Sequence, residues 1–231
     1  MPGPELIDSS VAAVECRGLA VDYRAADGTV PALRDVDVTF NAGRFAVVAG
    51  PSGSGKSSLL RVLAGLQQPR AGSVLLGGVD LVRRRAGARR RLRRSSMGIV
   101  LQNPADNLVE YLRADDQIRL AARLRGADPS EVPDLLAAVD LTHRAACLPA
   151  ELSGGEQQRI AFAAAAVGRP LLLLADEPTA QLDTVAGQHL LAAVRQLVDR
   201  GTTVVMASHD PAAIAAADDV VRLLDGQVVR A

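Results

Sequence analysis

The chain has 231 residues, and its 26 basic side chains, 25 arginines and the single lysine Lys56, balance 26 acidic ones. A formal charge of zero removes the usual electrostatic case for a nucleic-acid binder, which carries a basic excess that releases counterions, so no nucleic-acid partner is expected. Apolar residues make up 48% of the chain and aromatic ones 2%, which excludes disorder as the main state and predicts an aliphatic core in one domain over 1–231, with a subdomain.

In chain order, Met1 to Ser10 is acidic and lacks the layout of a signal peptide. Cys16 and Cys147 form no CxxC pair, and no run approaches the roughly 18 apolar residues of a membrane helix, so a reducing cytoplasm is the expected location. From Val14 to Phe40 short strands are predicted, two of them separated by the turn dipeptide Asp27-Gly28, which suggests an antiparallel lobe. Phe45–Ala49 is an apolar strand running into Gly50-Pro51-Ser52-Gly53-Ser54-Gly55-Lys56-Ser57, and Ser58 to Leu63 follow at helical spacing. Arg83–Arg94 holds eight arginines in twelve positions. This reads as a solvated helical face, with contact to anionic lipid headgroups as the functional alternative. Between roughly Pro104 and Leu152 apolar residues fall at helical spacing, as in Leu120, Leu124, Leu135, Leu136 and Val139, interrupted by Pro129 and Pro133. A helical insert over roughly 104–165 is expected. Then come a buried strand at Leu171–Ala175, an amphipathic helix at Val185–Val198, a strand at Thr203–Ala207, and a closing hairpin turning at Asp225-Gly226. This alternation of strands and helices predicts a largely parallel α/β sheet.

The segment Gly50 to Ser57 matches GxxxxGK[ST] in a strand–loop–helix setting. Glycines let the backbone curl so that successive N–H groups face phosphate oxygens, and the helix N-terminus adds partial positive charge. Lys56 is expected at the β- and γ-phosphates and Ser57 on Mg²⁺. The strand at Leu171–Ala175 ends in Asp176-Glu177. Parallel sheets carry ligand groups at the carboxyl ends of their strands, so Asp176 is expected beside the glycine loop and on Mg²⁺. Glu177 can orient an attacking water.

The string Leu152-Ser153-Gly154-Gly155-Glu156-Gln157-Gln158-Arg159 makes the chain resemble the ATP-binding cassette family, over about Val14 to Val229. That resemblance implies a P-loop NTPase fold, with a RecA-like core, an N-terminal antiparallel β lobe and an inserted α-helical subdomain. It implies ATP as substrate, Mg²⁺ as cofactor, and a head-to-tail homodimer that sandwiches two ATP. Ser153, Gly154 and Gly155 would bind the γ-phosphate held by the other protomer. Gln102 matches the glutamine that senses Mg²⁺ and water, Asp183 the aspartate that communicates across the dimer, and His209 the histidine that contacts the γ-phosphate. Together with Glu177, Gln102 and His209 form the candidate catalytic set. Gly50, Pro51, Ser52, Gly53, Ser54, Gly55, Lys56, Ser57 and Ser58 form the phosphate cradle. Tyr23, 27 positions before Gly50, stands where the family stacks an aromatic on adenine, the alternative being a strand-packing residue. Ala164, and Ala180-Gln181, depart from the commoner residues at those places.

The resemblance is strongest to the lipoprotein-release and macrolide-exporter branch, through Ala175-Asp176-Glu177-Pro178-Thr179, Leu182-Asp183 and the basic run before Gln102. It implies the ATPase subunit of a transporter, peripheral on the inner membrane face through a permease on a separate chain, with export or mechanical transmission favoured. The alternatives are an uptake-type importer ATPase and a soluble ATPase with no transport role.

Overall fold

The computed structural model describes residues 12–25 and 28–229. Strands β1 (Ala12–Ala25) and β2 (Gly28–Asn41) pair antiparallel from Ala12↔Asn41 to Ala25↔Gly28. The expected hairpin is therefore present, while Asp27 of its turn lies outside the described residues. Instead of several short strands there are two of 14 residues each. Bulges between Cys16 and Leu19 and on to Asp22 shift the register, which breaks the alternation a sequence reading relies on.

β3 (Phe45–Ala49) is buried throughout and leads to α1 (Lys56–Leu63). Next come β4 (Ala71–Leu76) and β5 (Val79–Asp80), which complete a four-stranded antiparallel sheet in the order β2-β1-β4-β5. Neither was predicted. The start of β4 is glycine-dependent: a Cβ on Gly72 would lie 2.5 Å from the carbonyl oxygens of Arg17 and Gly18, so the backbones approach more closely than any side chain permits.

The basic run forms α2 (Ala86–Ser96), with no buried residue, as expected of a solvated face. Beyond it lie β6 (Met97–Val100), α3 (Ala114–Arg125), α4 (Val132–Ala138), α5 (Gly154–Ala166), β7 (Leu172–Asp176), α6 (Thr184–Asp199), β8 (Val204–Ser208), α7 (Pro211–Ala216), β9 (Asp219–Leu224) and β10 (Gln227–Val229). The second sheet runs β10-β9-β3-β8-β7-β6, parallel except for the β9–β10 hairpin. That hairpin turns through Asp225 (φ 49°) and Gly226 (φ 77°), both left-handed, as a two-residue turn matched to strand twist requires.

The parallel sheet separates two cores. Phe45, Val47 and Ala49 face a core shared with α3 to α6, and Ala46 and Val48 face one shared with α1 and the antiparallel sheet. Such two-faced burial explains why its strands read as unbroken apolar runs. Among the helices after β6, Leu135, Leu136 and Val139 are core residues as expected. The stripe assigned to α3 is corrected: Ala114, Ile118 and Ala122 are buried, Leu120 is only half-buried and Leu124 is exposed. The two alanines let α3 sit close on α5 with Ile118 between them, while Leu124 points outward. Pro129 and Pro133 do not interrupt helices but begin them, each in a first turn where the missing N–H costs nothing. Among the described residues, no helix is long and apolar enough to cross a membrane.

Candidate nucleotide site

The glycine loop leaves β3 at the carboxyl end of the parallel sheet. Its curl depends on residues without side chains. A Cβ at Gly50 would sit 2.2 Å from the Leu223 carbonyl oxygen, and one at Gly55, whose φ is +103°, would sit 2.5 Å from that of Ala32. Gly55 caps α1 without a side-chain bond, which leaves the first N–H groups of the helix for an external acceptor. Lys56 is 6% exposed; its Nζ donates to the carbonyls of Gly50 (2.9 Å) and Pro51 (3.1 Å).

β7 lies two strands from β3, with β8 between them, and it delivers two carboxylates with different surroundings. Ser57 Oγ donates to Asp176 Oδ1 at 3.0 Å, the juxtaposition expected from the sequence. Burial pushes the Asp176 carboxyl above the ordinary range and the Glu177 charge adds to this, against the Ser57 hydrogen bond and the Lys56 charge. Glu177 adopts a left-handed backbone (φ 46°), and its N–H donates to the Ala207 carbonyl at 2.9 Å. This conformation is uncommon for a residue with a side chain. It turns the carboxylate inward, where Oε1 pairs with Lys56 Nζ at 3.2 Å and Oε2 lies 2.7 Å from His209 Nδ1. The chain thus brings together Lys56, Ser57, Asp176, Glu177 and His209, five residues from three strand ends.

Tyr23 borders the same region. Its hydroxyl lies 3.1 Å from Ser58 Oγ and donates to Gln67 Oε1 at 2.8 Å, and 40% of the residue is exposed beside α1. Gln102 is exposed just past β6, where Val100 pairs with Ala175; no hydrogen bond among the described residues joins it to Ser57 or Asp176.

Ser153, Gly154, Gly155 and Asp183 form a separate group. Ser153 caps α5, its Oγ accepting from the Glu156 N–H at 3.3 Å while its own N–H donates to Glu156 Oε2 at 2.8 Å. Burial raises the Glu156 carboxyl, but the Ser153 bonds and Arg144 outweigh it and hold the group below its usual range. Asp183 caps α6, accepting from the Ala186 N–H at 2.8 Å. The two helix starts adjoin, since a Cβ on Gly155 would lie 2.8 Å from that of Ala186. Among the described residues no hydrogen bond or ion pair links this group to Lys56. Two polar residues escaped sequence reading, Asn107 and Gln158, whose side chains hold the backbone of Leu101. Only Gln158 carried a signal, its place in the LSGGEQQR string.

A glycine loop at the end of a central parallel strand, its serine paired with an aspartate two strands away and its lysine with the adjacent glutamate, defines a P-loop nucleoside triphosphatase. Residues 33–180 match the family model described as ABC transporter. The chain belongs to the ABC transporter family, as one of its ATPase cassettes. It is 36% identical over 220 residues to the macrolide export ATP-binding/permease protein MacB 1/2 of Paracoccus denitrificans (strain Pd 1222), covering 94% of this chain and 33% of that protein. To MacB of Escherichia coli (strain K12) it is 34% identical over 221 residues, with 94% and 34% covered. The chain therefore spans about a third of the length of these curated relatives. Among solved structures it superposes on the dimeric bacterial ABC transporter cassette MJ0796 with a TM-score of 0.83 at 29% identity, covering 94% of this chain and 97% of that one. A post-hydrolysis state of the same cassette, bound to ADP and Pi, gives the same TM-score at 30% identity.

Proposed function

We propose that the cassette works as one half of an ATP-driven clamp: two copies enclose two ATP, and their closing and opening drive a membrane permease in export or mechanical transmission. The observation that carries this reading is the Glu177 carboxylate, held between Lys56 and His209 at the end of the strand beside the glycine loop. There it can orient a water toward a γ-phosphate whose charge Lys56 and His209 meet. Gly50 to Ser58 cradle the phosphates, and Tyr23, beside α1, stacks on the adenine. The Ser57–Asp176 pair fits Mg²⁺, a hard cation that takes oxygen donors, and Gln102 would complete the set. Once bound, the ion neutralises charge on the β- and γ-oxygens.

Ser153 to Gly155 and Asp183 serve the partner's nucleotide, because they adjoin each other and not their own glycine loop. The dimeric state of MJ0796 supports the clamp. The names of the macrolide-export ATP-binding/permease relatives support a permease partner and the export direction. Residues 104–165 act as the helical subdomain of a single cassette, and the Gln102 loop beside it receives the permease.

The test is Glu177→Gln. ATP binding is expected to persist, turnover to fall by ~10²-fold or more, and a stable ATP-dependent dimer to accumulate in light scattering. Unchanged turnover in this variant rejects the role given to Glu177.

A further inference from the structure

The segment after β6 carries an amide clasp that none of these roles uses. Asn107 ends the 3-10 turn Pro104–Asn107. Its side chain engages the Leu101 peptide as a neighbouring β-strand would: Oδ1 accepts from the Leu101 N–H at 2.7 Å, and Nδ2 donates to the Leu101 carbonyl at 3.0 Å. Nδ2 also reaches the Asn103 carbonyl at 3.0 Å and Gln158 Oε1 at 3.2 Å. Gln158, fully buried in α5, donates from Nε2 to the same Leu101 carbonyl at 3.1 Å. The residue immediately before Gln102 is thus bound to the helix that Ser153 caps.

The other end of β6 is tied to the same helix. The Arg125 guanidinium donates to the carbonyls of Met97 (2.8 Å), Ala165 (2.8 Å) and Val167 (3.0 Å). Beside this second tie, a Cβ on Gly98 would lie 2.4 Å from the Ala165 carbonyl oxygen, so strand and helix touch backbone to backbone. β6 is therefore fastened to α5 at both of its own ends, to Gln158 through the Leu101 carbonyl and to Ala165 through Arg125, so the strand and the helix move together.

We infer that Asn107 is a positioning residue: with Gln158 it makes the Gln102 loop and the Ser153 end of α5 one mechanical piece. A displacement of Gln102 at a chain's own nucleotide then moves the serine that this chain presents to its partner's nucleotide. This rests on the reading that Ser153 to Gly155 serve the partner.

The test uses the Glu177→Gln protein as parent, with two readouts: the ATP concentration giving half-maximal dimer, and the ADP affinity of the monomer. Asn107→Asp keeps size and the bond from the Leu101 N–H but faces three acceptors with a carboxylate. It should raise the half-maximal ATP concentration ~10-fold and leave ADP affinity within ~2-fold. Gln158→Glu removes the second donor to the Leu101 carbonyl and should act in the same direction, which keeps the test open if the first variant does not fold. In a double variant built from the uncharged Asn107→Ala and Gln158→Ala, which adds no new repulsion, the shift should not exceed the larger single one, because both act on one clasp. Dimerisation at the parental ATP concentration, or single effects that multiply, overturns the inference. A parent that forms no ATP-dependent dimer overturns the clamp reading on which it stands.

Discussion

The molecule has two helix starts built from serine and glycine, and they are finished in opposite ways. At α1 the cap is Gly55, no side chain closes the first turn, and Lys56 stands buried beside it. At α5 the cap is Ser153 and Glu156 reaches back to it, so a capping box spends local N–H groups and leaves a carboxylate at the mouth. The first start is unsatisfied and cationic, hence suited to hold a polyanion alone. The second is only partly open: the box uses the Ser153 and Glu156 N–H groups and leaves those of Gly154 and Gly155, beside a carboxylate, so a phosphate approaching it is best held when its charge is already met by the other loop's lysine. That difference is a physical reason for a shared site: one start binds, and the other completes.

Gly50→Ala should break the comparison most severely. The added Cβ would meet the Leu223 carbonyl at 2.2 Å and Ser54 Oγ at 2.6 Å. Backbone and loop must part, at a cost of about 1–3 kcal/mol or more. ATP and ADP affinity should fall by at least ~100-fold in isothermal titration, with turnover lost; near-parental affinity would mean that the loop does not need this close approach.

Gly155→Ala isolates the second start. Its Cβ would lie 2.8 Å from the Ala186 Cβ, pushing α5 and α6 apart by a few tenths of an ångström without touching the glycine loop. ADP affinity should stay within ~2-fold, while turnover and ATP-dependent dimerisation fall by ~10-fold. A matching loss of ADP affinity would merge the two starts into one site and remove the distinction.

Much of this contrast was legible in the residues. The glycine loop, the Asp176-Glu177 strand end and His209 were read in place because a parallel sheet buried on both faces writes its strands as continuous apolar runs, and strand ends then fix where ligand groups go. The capping role of Glu156 escaped notice, although Ser153 and Glu156 stand in capping-box spacing. β4 and β5 were missed because Gly72, Gly77 and Gly78, all at positive φ, hide a short strand in what reads as loop. The outward turn of Leu124, exposed beside buried Ala122, depends on how closely α3 approaches α5, and that distance is set by the whole core. Likewise Asn107 acquires its Gln158 partner only when α5 folds back onto β6, 51 residues away.

The smallest effect tests the electrostatic half of the comparison. Asp176 and Glu156, one at each site, shift in opposite directions. Asp176 titrates higher in the folded chain than in the unfolded one, so the native state binds the extra proton between the two values. Stability therefore falls as pH rises through that window, and above it the ionised carboxylate is a net cost. Glu156 is held lower, so its contribution is present above the unfolded carboxylate value and is lost as pH falls through its depressed one. Asp176→Asn should accordingly raise the nucleotide-free melting temperature at pH 7 by about 1–2 °C, a modest gain because the group is partly solvent-screened. The gain should vanish as the pH approaches 4. Glu156→Gln should do the reverse, destabilising at pH 7 and not in acid. Two melting curves of the same sign at neutral pH would show that the carboxylates are not opposed, and the capping box would lose its claim to stabilising the second helix start.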